Sequence, residues 1–277
     1  MSAERTMQHT GKSDLGFTLV ELMIALLLTS IVVTAVLNTY VNQHKVVLTQ
    51  EQVSDMQQNA RTAIDEITRQ VRMAGFALPL GLPAIVTSNT NPDTITLNYN
   101  ASECSASITS AMPQPSAELK LVGQDLSCYY NGMWAYIFHP DSGGGDWFEV
   151  TQVQQAAGHI QHNKDVFSQS YAAGAIVMSL DQLKFYIDNS DTTHPKLMVQ
   201  ANNKTPQVYA ENIQDLQFKY VMKNSLVVDE TPLSSDIREV RISIKAHTDQ
   251  SDPDLPNNPY RTRTYSSSVS PRNLGSS

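Results

Sequence analysis

The sequence predicts an α+β protein, a long N-terminal helix serving as spine for an antiparallel sheet that carries a large β-rich insertion. Three observations predict it. An apolar run with almost no charge, residues 17–41, passes into an amphipathic stripe with helical spacing. From Phe17 through Ala74 there is no Gly and no Pro to interrupt a helix. Beyond Ala84 the pattern turns to short β-prone runs separated by turn residues.

Composition narrows the function classes. The 277 residues carry 19 Lys and Arg against 27 Asp and Glu, a net charge of −8, and 41% of them are hydrophobic. A surface that binds nucleic acid by counterion release is basic, so no nucleic-acid partner is expected. Two cysteines, Cys104 and Cys128, exclude a disulfide-rich miniprotein and a cysteine-based zinc ribbon.

The first element is residues 17–41. As a helix they extend about 37 Å, more than the roughly 30 Å of a hydrocarbon core. No Lys, Arg, Asp or Glu occurs from Leu22 to His44. The run is longer than the apolar core of a secretory signal peptide and lacks an Ala-x-Ala cleavage site. A plain anchor leaves Glu21 unexplained. It is the single formal charge between Asp14 and Lys45, and a carboxylate carried into a membrane helix costs about 2.5–3.5 kcal/mol at the centre, less near the edge.

Gly16-Phe17-Thr18-Leu19-Val20-Glu21-Leu22-Met23 resembles the class III signal of type IV pilins and type II secretion pseudopilins. The resemblance implies a leader, 1–16, cut after Gly16 by a prepilin peptidase, and an N-methylated Phe17. It also implies an assembly and register role for Glu21, with Thr18 beside it. The leader's charges cancel, Arg5 and Lys12 against Glu4 and Asp14, where such leaders are usually basic; this weakens the orientation signal. Physically, cleavage creates an α-ammonium on Phe17, which the Glu21 of a neighbouring subunit can reach. Two unit charges 4 Å apart gain about 4 kcal/mol at an effective dielectric of 20, before desolvation is subtracted.

The second element, 42–75, continues the helix. Val53, Met56, Ala60, Ala63, Ile64, Ile67, Val71 and Ala74 recur at three- and four-residue steps. Gly75 stands at the C-cap and Pro79 just beyond, giving one helix of 58 residues, about 87 Å. Asn59-Ala60-Arg61-Thr62-Ala63 and Arg72-Met73-Ala74-Gly75-Phe76 are similar to the segment that closes the long helix in the PilW group of minor pilins, with related text in the J-type minor pseudopilins.

The rest, 76–277, is expected to be a β-rich head with its insertion at about 79–174. Strands are predicted at 94–99, 118–122, 134–139, 148–153 and 175–180. Leu216, Phe218, Tyr220 and Met222 share one face of a later strand, and Val240, Ile242, Ile244 and Ala246 share one of another. The last strand is predicted at 260–269, after a loop at 249–259 with three prolines. Ala210-Glu211-Asn212-Ile213-Gln214-Asp215-Leu216-Gln217-Phe218-Lys219-Tyr220 extends the PilW-type resemblance, which covers both ends of the chain and not the middle.

Other chemistry finds little support. Gly11-Lys12-Ser13 lacks the Gly five residues earlier that a phosphate-binding loop needs, since Thr6 stands there. His159 and His162 have no third metal ligand near them and are expected to be exposed loop residues. Asp141 and Asp146 flank three glycines, a weak calcium-loop candidate that reads better as a turn. Trp134, Tyr136, Trp147 and Tyr171 fit core packing as well as ligand binding. No catalytic motif is present, so no enzyme and no cofactor is expected. Cys104 and Cys128 are candidates for a disulfide, worth roughly 3 kcal/mol for a loop of this size.

The resemblance implies a type IV pilus minor pilin of the PilW type. It would sit in the inner membrane through 17–41, leader cytoplasmic and head periplasmic, and then in a complex at the pilus tip. Its partners would be the prepilin peptidase, other minor and major pilins and the assembly platform. Two alternatives stay open: a minor pseudopilin of a type II secretion system, and a tip adhesin or ligand-binding module acting through the middle insertion.

Overall fold

The computed structural model describes residues 16–79, 82–141, 144–230, 234–252, 255–256 and 260–274. The chain divides into two units, one ending at Glu51 and one running from Gln52 to the C-terminus. A single helix, α1 (Leu19–Met73), supplies the described part of the first unit and opens the second.

In the second unit the apolar stripe of α1 is buried at Met56, Ala60, Ala63, Ile64, Ile67 and Val71, as the three- and four-residue spacing requires. Gln70 is buried with them and donates through Nε2 to Glu66 Oε1 (2.7 Å). The helix stops because Gly75 adopts φ +84°, the left-handed turn that ends many helices. The Gly75 N–H donates to Asn98 O at 2.9 Å, and Asn273 Nδ2 faces the carbonyls of Arg72, Met73 and Ala74 at 3.4–3.5 Å. The terminal carbonyls are thus met by a residue 200 positions away. A Cβ on Gly75 would lie 3.0 Å from Asn273 O and 3.1 Å from Leu274 Cδ2.

Among the described residues fifteen strands follow. The first five are β1 (Ile85–Ser88), β2 (Thr94–Tyr99), β3 (Ser105–Ser107), β4 (Leu119–Lys120) and β5 (Trp134–Phe138). Next come β6 (Gly145–Gln154), β7 (His159–His162), β8 (Ile176–Ser179), β9 (Asp181–Asp188) and β10 (Lys196–Ala201). The last are β11 (Gln207–Glu211), β12 (Ile213–Met222), β13 (Val227–Val228), β14 (Ile237–His247) and β15 (Thr262–Val269). They build three antiparallel sheets, in the orders β1-β2-β9-β10-β11, β13-β12-β14-β15 and β3-β8-β5-β6-β7-β4.

The first two sheets share one core with α1. Leu216, Phe218, Tyr220, Val240, Ile242 and Ile244 meet the helix stripe from one sheet, and Ile95, Leu97, Phe185 and Leu197 from the other. Asp93 links them: its N–H donates to Leu216 O and its Oδ2 accepts from the Phe218 N–H, both at 2.8 Å. The third sheet has its own core of Leu119, Ile137, Phe148, Val150, Ile160, Phe167, Tyr171 and Val177. The segment with a separate core therefore runs from about Cys104 to Ser179. The expected insertion at 79–174 starts too early, because β1 and β2 pair into the sheet of β9–β11.

Several other expectations are corrected. The strand predicted at 118–122 shrinks to Leu119–Lys120, and the last strand begins at Thr262 rather than Tyr260. Strands β1, β3, β7, β9, β10, β11 and β13 were not anticipated; β3, β4 and β13 span only two or three residues. Strand β6 begins inside the glycine run, since Gly145 pairs with Phe138. A Cβ on Gly145 would overlap Ile137 O and approach the Tyr136 ring to 2.6 Å, so the close passage of two strands excludes any larger residue. Ser142, Gly143 and residues 253–254 and 257–259 of the proline-containing loop lie outside the described residues.

Asp146, 5% exposed, is the polar centre of the third sheet's core. Its Oδ2 accepts from the Ser168 N–H (2.9 Å), the Ser168 hydroxyl (2.6 Å) and the Tyr171 hydroxyl (2.7 Å), and its Oδ1 pairs with Lys164. Burial alone would push this carboxyl up; Lys164, Ser168 and Tyr171 outweigh it and hold it below the usual carboxylate range.

Two predictions follow from these contacts. Gly75→Ala should cost about 1–2 kcal/mol, the penalty of a left-handed Cβ, read as a lower midpoint in denaturant unfolding. Asp146→Asn should cost about 3 kcal/mol at pH 7, because Lys164 and the two hydroxyl donors lose a buried carboxylate. A depressed carboxyl stabilises the fold above its unfolded value and loses that contribution as pH falls through its folded value. The difference in melting temperature between wild type and variant should therefore narrow as pH is lowered through the acidic range.

Candidate functional site

The site singled out by the sequence is the start of α1. Gly16 and Phe17 precede the helix, Phe17 is 91% exposed, and a Cβ on Gly16 would meet nothing within 4 Å. The scissile bond expected between them lies in exposed chain ahead of the helix. The leader ahead of Gly16, with Glu4, Arg5, Lys12, Asp14 and the Gly11-Lys12-Ser13 string, lies outside the described residues.

Thr18 and Glu21 form a capping box. The Thr18 N–H and hydroxyl both donate to Glu21 Oε2 at 2.9 Å, and the Glu21 N–H donates to Thr18 Oγ1 at 3.3 Å. The four-residue string Thr-Leu-Val-Glu has the spacing of that motif, which satisfies two of the orphan donors at a helix N-terminus. Sequence reading treated Glu21 as an uncompensated carboxylate; within the single chain one of its oxygens is already held by its own helix start. The negative charge also lies at the positive end of the helix dipole.

Behind the cap, the apolar residues of α1 are exposed, from Leu19 at 75% to Val41 at 48%. This is the one described helix long and apolar enough to cross a membrane, and none of its apolar window is buried within the chain. Its hydroxyls are turned inward. Thr29 donates to Ala25 O, Ser30 to Leu27 O, Thr34 to Ser30 O and Thr39 to Ala35 O, at 2.7–2.9 Å. Every such bond satisfies a donor that would otherwise be stranded in hydrocarbon.

The remaining candidates lie in the head. Cys104 and Cys128 are joined by a disulfide, with Cα atoms 5.9 Å apart. Asp141 and Asp146 do not make a cation loop: the Asp141 side chain is 91% exposed, whereas both oxygens of Asp146 face inward and hold protein donors. Among the described residues no group of three His, Cys, Asp or Glu is arranged to hold a metal ion. His159 and His162 are not loop residues. Both lie on β7, His159 beside Glu118 (3.1 Å), His162 between the carbonyls of Lys164 and Ala117 with its ring 4.2 Å from that of Phe167. On the third sheet Trp134 stacks on Trp147 and Tyr136 tilts against Trp147, and Tyr171 is buried on Asp146. Sequence reading missed the Asp146 network; the one signal for it was an acidic residue entering an aromatic-rich strand.

The comparisons with known proteins bear on the same end of the chain. Residues 11–37 match the model of the prokaryotic N-terminal methylation motif. No curated protein matches. Among solved structures, the chain is similar to a type IV-like pilin from Thermus thermophilus at 9% identity and a TM-score of 0.37, over 80% of this chain and 98% of that one. The chain thus carries a prokaryotic N-terminal methylation motif at the head of an apolar helix whose later turns pack on antiparallel sheets.

Proposed function

We propose that this chain is a minor pilin of a type IV pilus, cleaved after Gly16, methylated on Phe17 and held in the inner membrane by residues 17–41 until it joins other pilins in a priming complex at the pilus tip. The observation that carries the reading is the methylation motif over residues 11–37, placed directly on an exposed apolar helix. Cleavage turns the Phe17 nitrogen into an ammonium one helical turn from Glu21. Only one Glu21 oxygen is engaged by the cap, so the other is free to take a neighbour's amine. That pair offsets the cost of carrying a carboxylate in lipid, and assembly is thereby coupled to extraction from the bilayer. The head acts by shape and charge, without catalysis. The same chemistry would serve a type II secretion pseudopilus; the assembly from which the native protein is recovered, sheared pili or secretion-system complexes, separates the two.

Two outcomes test the reading. Mass spectrometry of the mature protein should give an N-terminal peptide that begins at methylated Phe17; an intact leader in cells with active peptidase would contradict it. Glu21→Gln separates the two jobs of the carboxylate. Gln keeps an oxygen for the Thr18 N–H, so the cap survives, but it carries no charge for the neighbour's amine. Its level in membranes should equal wild type while its recovery in sheared pili falls sharply, and Glu21→Val should fail likewise with about 1 kcal/mol of helix capping lost in addition. Wild-type incorporation of Glu21→Gln would remove the charge-pair role.

A further inference from the structure

Strand β12 offers more backbone than its neighbours in the sheet cover. On one side it pairs with β14 from Ile213 to Met222; on the other, β13 reaches only Tyr220 and Val221. The groups left over at Leu216 and Phe218 are taken by one residue of the first sheet. Asp93, just ahead of β2, donates its N–H to Leu216 O and accepts the Phe218 N–H on Oδ2, both at 2.8 Å. It covers that stretch of the β12 edge as a paired strand would.

An aspartate in this place is poorly solvated. Asp93 is 2% exposed, and its Oδ1 is buried with no hydrogen-bond partner. A carboxylate is stabilised in the interior when several backbone N–H groups point at it; here one short bond serves one oxygen, and the Thr90 N–H adds a weaker pull. The charged groups that bear on it, Asp215 of β12 and Asp229 beyond β13, are both acidic. Lys219 is paired with Asp229 at 2.6 Å, and Lys245 lies opposite Asp215. Tyr220, buried on the same strand, stays neutral, its hydroxyl pushed up by burial and then by Asp93. Burial decides the outcome: it pushes the Asp93 carboxyl up, and the acidic neighbours push the same way. Asp146 in the third sheet's core, with its four donors, moves in the opposite direction. The other links between these two sheets, the Ile213 N–H to Pro195 O and the Ala84 N–H to Ser234 Oγ, both at 3.1 Å, contain no titrating group.

We propose that Asp93 is an acid-tightened joint between the first and second sheets: its neutral carboxyl stays seated on the β12 edge, and its ionised form is drawn toward water and releases that edge. The contribution is fully present below the ordinary aspartate value of about 3.9 and is lost as pH rises through the higher folded value. The joint is independent of the N-terminal assembly chemistry. The test is hydrogen exchange of the full-length protein in detergent micelles, followed at single amides by NMR from about pH 4 to about pH 8 and corrected for the intrinsic exchange rate. Protection of the Asp93 and Phe218 amides should fall about tenfold or more over that range. The Val150 amide, bonded to Met133 O at 2.8 Å in the third sheet's core, should hold its protection. Asp93→Asn keeps an oxygen for the Phe218 N–H and cannot ionise, so its Phe218 profile should be flat. Asp215→Asn removes an acidic neighbour and should move the fall to lower pH. Flat protection of Phe218 in the wild type, an equal fall at Val150, or a fall that persists in Asp93→Asn would overturn the joint. So would a profile that Asp215→Asn leaves in place or moves to higher pH.

Discussion

The burial of one stripe of α1, from Met56 to Val71, against two sheets is the contact on which the rest of the head depends. Neither sheet closes on itself, and each needs a cover for its apolar face. The helix supplies that cover with small residues at its centre: Ala60 and Ala63 are fully buried, and their size lets the backbone approach strands bearing Phe218, Tyr220 and Phe185. The helix end must then be fixed in space, which Asn98 and Asn273 accomplish by binding the last turn from the first and second sheets' flanks. A stripe that failed to bury would leave both sheets with one open face.

The same helix begins under the opposite constraint. The apolar window of its N-terminal half is not buried within the chain, and its serine and threonine hydroxyls are bonded back along the helix or into the Thr18–Glu21 cap. Hydroxyls bonded this way stay satisfied whether lipid or another apolar helix surrounds them. The cap uses one oxygen of the only carboxylate in the run, and the proposed pairing with a neighbour's amine would use the other. In the proposed assembly, local helix chemistry and intermolecular pairing are carried by one side chain.

The third sheet is a separate solution. It has its own core, a disulfide between Cys104 and Cys128, and a buried carboxylate that gathers Lys164, Ser168 and Tyr171. Burying Asp146 costs desolvation, offset by four donors that together fix the loop bearing Ser168 to the start of β6. The second sheet is built differently: on its outer face Lys219 of β12 lies opposite Arg241 of β14, and each cation is paired with a carboxylate, Asp229 and Glu239.

What the sequence determined by itself was periodic or local. The helix from Phe17 to Ala74 was legible within two residues of its observed bounds because its spacing is sustained and Gly75 ends it. The alternation in β12 and β14 was legible because one face is buried and the other wet. The Thr18-to-Glu21 spacing was in plain view, although its role as a cap emerged only from hydrogen-bond geometry. Tertiary structure alone decided the remainder. Strands such as β9, β10 and β11 carry no clean alternation, since their residues are half-buried on both faces. The inclusion of β1 and β2 in their sheet depends on pairing across more than eighty residues. The capture of Asp146 by donors from 18 to 25 residues away, and the meeting of Lys219 with Arg241, depend on strand register. Register is set by which faces can be buried together, a property of the assembled sheets that no single stretch of sequence contains.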